Sequence, residues 1–530
     1  MAKLDLDVAI VGAGFAGLYA LYSTRKLGLT VRVFEAGKGI GGTWYWNQYP
    51  GARCDVESLE YSYQFSPELQ QEWEWTERYA GQAEILRYLN HVADRFSLRS
   101  DIQLNTRINS AHLQETGCTW LLNTSSGDTV TTRWLIMATG CLSQPHRPRL
   151  PGLEQFRGEI YHTGNWPHET VDLAGKRVGV VGTGSSGIQC IPQIARHAER
   201  LMVFQRSPAY SVPAHNKPLD PEIQRRVKAD YPAFRTRCNQ QFAAINTNAS
   251  KISALEVGPE ERRKVYDQRW AHGGLPFTGA FADLRLKPEA NATAADYVRG
   301  KIREIVTDPT IAKKLSPQNT FACKRLCVDT DYYRTFNNSN VTLIDLKAEA
   351  FATVTAGGLR TTQGRYEFDA VVLATGFDAM TGALLAMDIR GRDGLQLKDA
   401  WQAGPRTYLG LAIVGFPNLF IISGPGSPSV LSNMVVSIEQ HVNWITTCIQ
   451  YMESRGVRVL EAKQKLQDAW VEHVNQLASN TLFPTCSSWY LGANIPGKPR
   501  VFMPYVGGFP TYVDKCQEVI ANGFGEFVTA

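Results

Sequence analysis

Two copies of one local pattern constrain this chain more than anything else in it. Asp7-Val-Ala-Ile-Val11 is a short apolar run of strand type, followed by Gly12-Ala-Gly14-Phe-Ala-Gly17 and a helical stretch from Leu18 to Leu27. Arg177-Val-Gly-Val-Val181 repeats the run, with Gly182-Thr-Gly184-Ser-Ser-Gly187 and a helix from about Ile188 to Ala198 behind it. A glycine triplet by itself is weak, because glycines in turns are common. A triplet set between a strand and a helix is strong. Gly12 and Gly182 permit the tight turn, Gly14 and Gly184 let the backbone approach a pyrophosphate, and Gly17 and Gly187 let helix and strand pack closely. The helix N-terminus then faces the phosphates.

The two copies predict different nucleotides. In the first, Val31-Arg-Val-Phe-Glu35 is the next strand and ends in an acid, Glu35, placed to accept hydrogen bonds from a ribose diol. Glu35 lies 23 residues after Gly12, and the same step from Gly182 lands on Gln205, with Arg206-Ser207 directly behind. An uncharged residue followed by a guanidinium suits a 2′-phosphate, which an acid would repel. The second site is therefore expected to take NADPH rather than NADH. The first site is expected to take FAD, because the next block, Gly39 to Asp55, gathers glycines, aromatics and one carboxylate, including Gly42, Thr43, Trp44 and Asp55. These read as a wall around a flat ring system with a charge positioned near it. Two further apolar strands, Trp134 to Met137 and Ala370 to Leu373, each run into Ala-Thr-Gly, one after each glycine site.

The repeat sets the expected architecture: α/β, with two Rossmann-like dinucleotide-binding domains, the second inserted in the first. A chain of 530 residues is too long for one core. The expected division is 1–145 with 380–530 for FAD, 146–212 with 320–379 for NADPH, and 213–319 as a mostly helical insertion. The insertion is read from long charged, helix-forming segments such as Pro221 to Tyr231 and Ala295 to Ile311.

Composition excludes several classes. A formal charge of +5 with no basic tract points to neither nucleic acid nor anionic lipid. Met1 to Asp7 runs straight into a strand without the apolar region of a signal peptide. The most apolar long run, Tyr408 to Gly424, is interrupted by Pro417-Asn418 and reads as two core strands joined by a turn. These features predict a soluble cytoplasmic protein with no obligate protein partner. The ten cysteines contain no CxxC pair and read as reduced, mostly buried thiols with no disulfide framework and no metal site. The missing CxxC also removes the redox dithiol of a pyridine-nucleotide disulfide reductase.

Between the glycine sites stands Phe156-Arg-Gly158-Glu-Ile-Tyr-His162-Thr-Gly-Asn-Trp166-Pro167. A His and a Trp in a glycine-containing segment are ordinarily loop packing; their position between two dinucleotide sites gives them weight. Here the chain resembles the type I Baeyer–Villiger monooxygenases, the cyclohexanone-monooxygenase-like flavoproteins. Their pattern FxGxxxHxxxW[P/D] is met at Phe156, Gly158, His162, Trp166 and Pro167. Their second pattern, [A/G]GxWxxxx[F/Y]P[G/M]xxxD, is met at Gly41, Gly42, Trp44, Tyr49, Pro50, Gly51 and Asp55. With both glycine sites in place, the likeness covers essentially the whole chain.

The resemblance implies conversion of ketones (cyclic, aryl or linear) with O2 to lactones or esters through a flavin C4a-peroxide. It implies Arg325 as the active-site arginine with Asp55 as its carboxylate partner, and Lys324 beside Arg206 and Ser207 at the 2′-phosphate. It implies Trp489 on a loop folding over bound NADP, and Ser429 and Leu431 at the edge of the substrate pocket. His162 is open to two roles, a general base or a linker coupling the domains, and the resemblance favours the linker. The competing functions are a flavin N- or S-monooxygenase, which generally carries another residue where Trp166 stands, and a non-catalytic NADPH-sensing scaffold.

Overall fold

The computed structural model describes residues 4–530, so the opening Met1 to Lys3 of the N-terminal reading lies outside the described residues. Two parallel-cored sheets organise the chain. In the larger, Leu6–Val11 lies between Val31–Phe34 and Thr129–Met137, parallel to both. Thr129–Met137 continues antiparallel into Thr119–Thr124 and then Ile108–Gln114. Strand Leu419–Ile421, nearly 300 residues downstream, returns to pair parallel with Leu135 to Met137. Asp388–Arg390 extends the far edge beside Ile108–Gln114.

The second sheet is parallel throughout, in the order Val341–Asp345, Arg200–Gln205, Arg177–Val181, Ala370–Leu373, Glu159–His162. Its strands all fall between those of the first sheet in sequence, so one Rossmann-like unit is inserted in the other. Both inner strands read as continuous apolar runs because helices cover both faces. Val8, Ile10, Val178 and Val180 have no exposed surface.

The repeat units form as their residues require. Helix Phe15–Arg25 follows Gly14, and helix Ser185–Ala195 follows Gly184. Each begins a turn earlier than its apolar pattern indicates. Between 213 and 319 the chain is helical, with Pro221–Ala229, Tyr231–Asn239, Pro259–His272, Pro288–Ile305 and Pro309–Leu315. Every one of these carries proline in its first turn, where the missing N–H costs nothing. The expected continuous helix from Ala295 to Ile311 is broken at Asp308, whose side chain caps Thr310 and Ile311 instead.

Two expectations are corrected. The apolar run Tyr408 to Gly424 holds one short strand, Leu419–Ile421, and not two. Tyr408 and Ala412 close a tight loop in which Leu409 and Gly410 have φ of 57° and 73°. An apolar run reports burial, which here is met by a buried turn. The cysteines are also not all free. Cys323 and Cys486 form a disulfide, their Cα atoms 6.2 Å apart, while the other eight are buried thiols. Standing 163 positions apart, the pair has no spacing by which it could be recognised. Among the described residues no helix is long and apolar enough to cross a membrane, and no three or more His, Cys, Asp and Glu side chains cluster as a metal site would require.

Candidate active site

The first cradle is closed by backbone packing that leaves no room for side chains. A Cβ on Gly12 would meet Ala138 O at 2.6 Å, and one on Gly17 would meet Gly12 O at 1.8 Å. Helix Phe15–Arg25 opens without a side-chain cap, so its first N–H groups are free to bind an anion. Gly42 seals the other side, a Cβ there reaching 2.9 Å from Gly14 Cα. Glu35 is buried at the end of its strand, where its carboxylate accepts from the N–H groups of Ala13 (2.8 Å) and Gly37 (2.7 Å). It therefore braces the glycine loop. Thr43 is exposed, whereas Trp44 is buried and donates its indole N–H to Tyr61.

The second cradle repeats the first. A Cβ on Gly182 would lie 2.4 Å from Ala374 O, and one on Gly187 2.3 Å from Gly182 O. Gly184 is exposed, with open space where its Cβ would be, which is the clearance a pyrophosphate needs. Gln205 turns inward and donates to Lys314 O, leaving exposed Arg206 at the strand end. Ser207 O accepts from the Thr183 hydroxyl. Lys324 is pushed below its ordinary pKa by burial and then by the charges of Arg206 and Lys347. Arg206 and Lys347 therefore lie within electrostatic reach of Lys324. Lys347, distant in sequence, was not foreseen.

The Phe156–Pro167 segment joins the two units physically. Phe156 packs on Phe368, and a Cβ on Gly158 would meet Asp369 O at 2.3 Å. His162 ends a strand of the second sheet. Its Nδ1 accepts from Gly164 N–H, and its Nε2 faces His146 O and the Thr375 hydroxyl, each at 3.2 Å. Burial lowers its pKa, so the neutral ring has both nitrogens engaged by this scaffold. Trp166 packs on Tyr161, and its N–H donates to Trp46 O in the first unit, with half-buried Pro167 behind it. A second joint links Tyr49 of the second pattern to Gln189, a residue no pattern marks: Tyr49 donates to Gln189, which in turn donates to Arg53 O. Gly51 must be glycine here, with φ of 83° and Gln189 O only 2.5 Å from any Cβ.

Where the two units meet, Asp55 and Arg325 form a two-pronged ion pair, Nε to Oδ2 at 2.9 Å and Nη2 to Oδ1 at 2.6 Å. These residues stand 270 positions apart. Arg325 Nη1 donates to Val430 O at 2.9 Å. Burial alone would lower the pKa of this guanidinium, but the charge and hydrogen bonds of Asp55 more than offset it and raise the value. Arg325 therefore stays cationic, with two N–H bonds still uncommitted.

Beside it lies an apolar cluster that includes Cys141, Met380, Val430, Tyr490, Phe502 and Met503. Leu431 packs against this cluster, while the Ser429 hydroxyl turns inward to Ser423 O and Met380 Sδ. Trp489 packs on Tyr490 in a short turn, Trp489–Leu491. The segment that follows is strapped down: Asn494 donates to Phe377 O, and Lys498 pairs with Asp378 and donates to Ala379 O. The disulfide to Cys486 ties the start of this segment to the residue just before Lys324-Arg325.

Two glycine-rich cradles with the half-buried Arg325–Asp55 pair where they meet are the fold and site of a dinucleotide-binding oxidoreductase, and comparisons sharpen the assignment. Residues 9–269 match a family model described as pyridine nucleotide-disulphide oxidoreductase. A Baeyer–Villiger monooxygenase of Pseudooceanicola batsensis is 42% identical, over 99% of this chain and 96% of its own. A phenazine N-monooxygenase of Lysobacter antibioticus is 41% identical, over 99% and 97%. A structure of oxidized steroid monooxygenase bound to NADP superposes with a TM-score of 0.95 at 50% identity, covering 99% of each chain. The chain belongs to the Baeyer–Villiger monooxygenase family.

Proposed function

We propose that this protein is an FAD- and NADPH-dependent monooxygenase that converts ketones with O2 to esters, or ring ketones to lactones. The observation that carries this reading is the Asp55–Arg325 pair set between the two cradles. FAD held at the Gly12–Gly17 cradle and NADPH at the Gly182–Gly187 cradle would supply the reduction and the activation of O2. The rest is the work of this chain.

Arg325 offers a permanent positive charge that cannot release a proton at neutral pH. Its free N–H bonds can receive the negative charge that develops on a carbonyl oxygen under attack, a contribution of roughly 2.7–4 kcal/mol per donor. Asp55 fixes the plane and position of the guanidinium, and Val430 O holds its third side. Arg206, Ser207, Lys324 and Lys347 take the 2′-phosphate. Trp489 and its strapped segment cover the nicotinamide side and exclude water. His162, with both nitrogens engaged, couples the two units and moves no proton.

A second reading, oxygenation of a ring nitrogen, is favoured by the phenazine N-monooxygenase relative. Trp166 and the Gly41–Asp55 pattern favour carbon. The deciding experiment follows NADPH consumption by the yellow protein in air with cyclic, aryl and linear ketones and with N-heterocycles, identifying the products. Ketone-stimulated consumption matched by ester or lactone is expected. An N-oxide as the matched product would transfer the assignment to the second reading.

A further inference from the structure

The Cys323–Cys486 bond takes no part in the reaction proposed above, yet its two ends stand on the two segments that build the site. Cys323 is buried two residues before Arg325. The chain is clamped just ahead of it: Asn291 accepts from Phe321 N–H and donates to Phe321 O. Ala322 holds a left-handed φ of 56°, which an alanine keeps only where its surroundings impose it. Cys486 opens the strap and is half-buried between exposed Thr485 and Ser487. The bond is therefore approached from the Cys486 side, whereas the other eight cysteines are all buried.

The two halves of the strap are held by different means. The far half is fixed by polar contacts, from Asn494 to Phe377 O and from Lys498 to Asp378 and Ala379 O. From Cys486 to Leu491 the backbone hydrogen bonds stay within the strap, apart from Tyr490 O accepting from Met503 N–H. The buried Ser488 hydroxyl has no partner. Trp489, Tyr490 and Leu491 pack against the apolar cluster, an attraction without direction. What ties this half to the segment entering Arg325 is the disulfide, with one hydroxyl contact of 3.0 Å between Thr485 and Thr320 beside it.

We propose that the Cys323–Cys486 bond is a reversible redox latch on the strap: a dithiol reductant opens it and loosens the hold on NADP, and hydrogen peroxide closes it again. In opening, a thiolate of the reductant attacks Cys486 Sγ, the S–S bond breaks, and Cys323 leaves as a thiolate that takes up a proton. The second thiol of the reductant then displaces Cys486, leaving two protein thiols and an oxidised reductant. In closing, the Cys486 thiolate attacks one oxygen of hydrogen peroxide, the O–O bond breaks, and hydroxide leaves a sulfenic acid behind. The Cys323 thiolate displaces hydroxide from that sulfur, so two thiols and one peroxide give the disulfide and two waters. The peroxide comes from NADPH turnover that fails to oxygenate, and this source of oxidant rests on the monooxygenase reading. A loosened strap admits water and raises peroxide release, and the peroxide re-forms the bond.

The test compares two states of the wild-type, FAD-loaded enzyme in the absence of denaturant: untreated, and treated with dithiothreitol that is then removed under argon. Thiols counted after unfolding should rise from eight to ten. NADP+ binding, followed by flavin absorbance, should weaken roughly fivefold or more, the lower end of a typical coupling between two sites. Hydrogen peroxide released per NADPH should rise with it. One equivalent of hydrogen peroxide should return the thiol count to eight and restore both values. Cys486→Ser should behave as the reduced enzyme and respond to neither reagent.

Equal NADP+ affinity in the two states overturns the proposal, as does a bond that dithiothreitol reduces only after unfolding. Peroxide that consumes the two thiols without restoring NADP+ affinity does so too. If Cys486→Ser does not retain flavin, the two states of the wild type decide. Ketones oxygenated with the same NADP+ affinity and the same peroxide release in both states sink the latch and leave the ketone reading standing. A redox-dependent NADP+ affinity in an enzyme that oxygenates no ketone does the reverse.

Discussion

Arg325 illustrates how much a single side chain depends on its surroundings. A guanidinium is charged in any context, but the Asp55 clasp and the Val430 carbonyl are what fix its plane. Arg325→Ala should preserve reduction of the flavin by NADPH in stopped flow. Ester formation should fall by about 10²–10³ or more, the scale for losing one preorganised donor, and NADPH turnover should then yield hydrogen peroxide. Undiminished ester formation would refute the role. Glu60 offers a test of pH dependence. Burial, then the neighbouring Glu57 charge, raise its pKa to about 8. The folded state therefore holds this proton more tightly than the unfolded chain, whose value is near 4.3. Its contribution to stability is complete below about pH 4 and is lost as pH rises through 8. Glu60→Gln keeps an acceptor for Asn246 N–H and should melt a few degrees above wild type at pH 9, with the gap closing toward pH 5. A gap independent of pH would show that Glu60 is ionised in the fold throughout. Asp55 was recognisable from its pattern; Glu60 was not, because the burial that perturbs it comes from residues near 246 and 433.

At the scale of elements, the two strand–turn–helix units were legible because their constraint is local. Gly17 and Gly187 are each demanded by a carbonyl five residues upstream, at 1.8 Å and 2.3 Å from any Cβ. The pair also separates the two sites experimentally. Gly17→Ala should give colourless protein, since helix and loop can no longer close on FAD. Gly187→Ala should stay yellow and be bleached by dithionite, while its reduction by NADPH slows by about two orders of magnitude, as a misplacement near 1 Å typically produces. A yellow Gly17→Ala, or a Gly187→Ala reduced at the wild-type rate, would contradict the assignment of sites. The loop around Leu409 and Gly410 escaped the residue pattern because its apolar side chains serve burial in the core, and its turn is set by contacts with Gly424 and Ser427.

In the whole molecule, the Cys323–Cys486 bond joins the segment entering Arg325 to the base of the Trp489 strap. Unfolded without reductant, the protein should expose eight titratable thiols, and after reduction ten. Cys486→Ser should lower stability by roughly 2–4 kcal/mol, read from denaturant unfolding of the FAD-loaded protein. Ten free thiols without reductant would remove the bond from the account. The amino-acid sequence by itself determined the two glycine-rich strand–turn–helix units and their nested order, and the resemblance carried by its motifs pointed to Asp55, Arg325 and the family. The units follow from short-range sterics and contiguous patterns, which a linear chain displays directly, whereas Lys324-Arg325 reads from the residues alone as surface. Only the tertiary structure decided the disulfide, the approach of Lys347 to Lys324, the Gln189 joint between the cradles and the inward turn of Ser429. All of these depend on which distant segments come into contact, and on burial and the surrounding charge. Those quantities exist only once the chain has closed on itself.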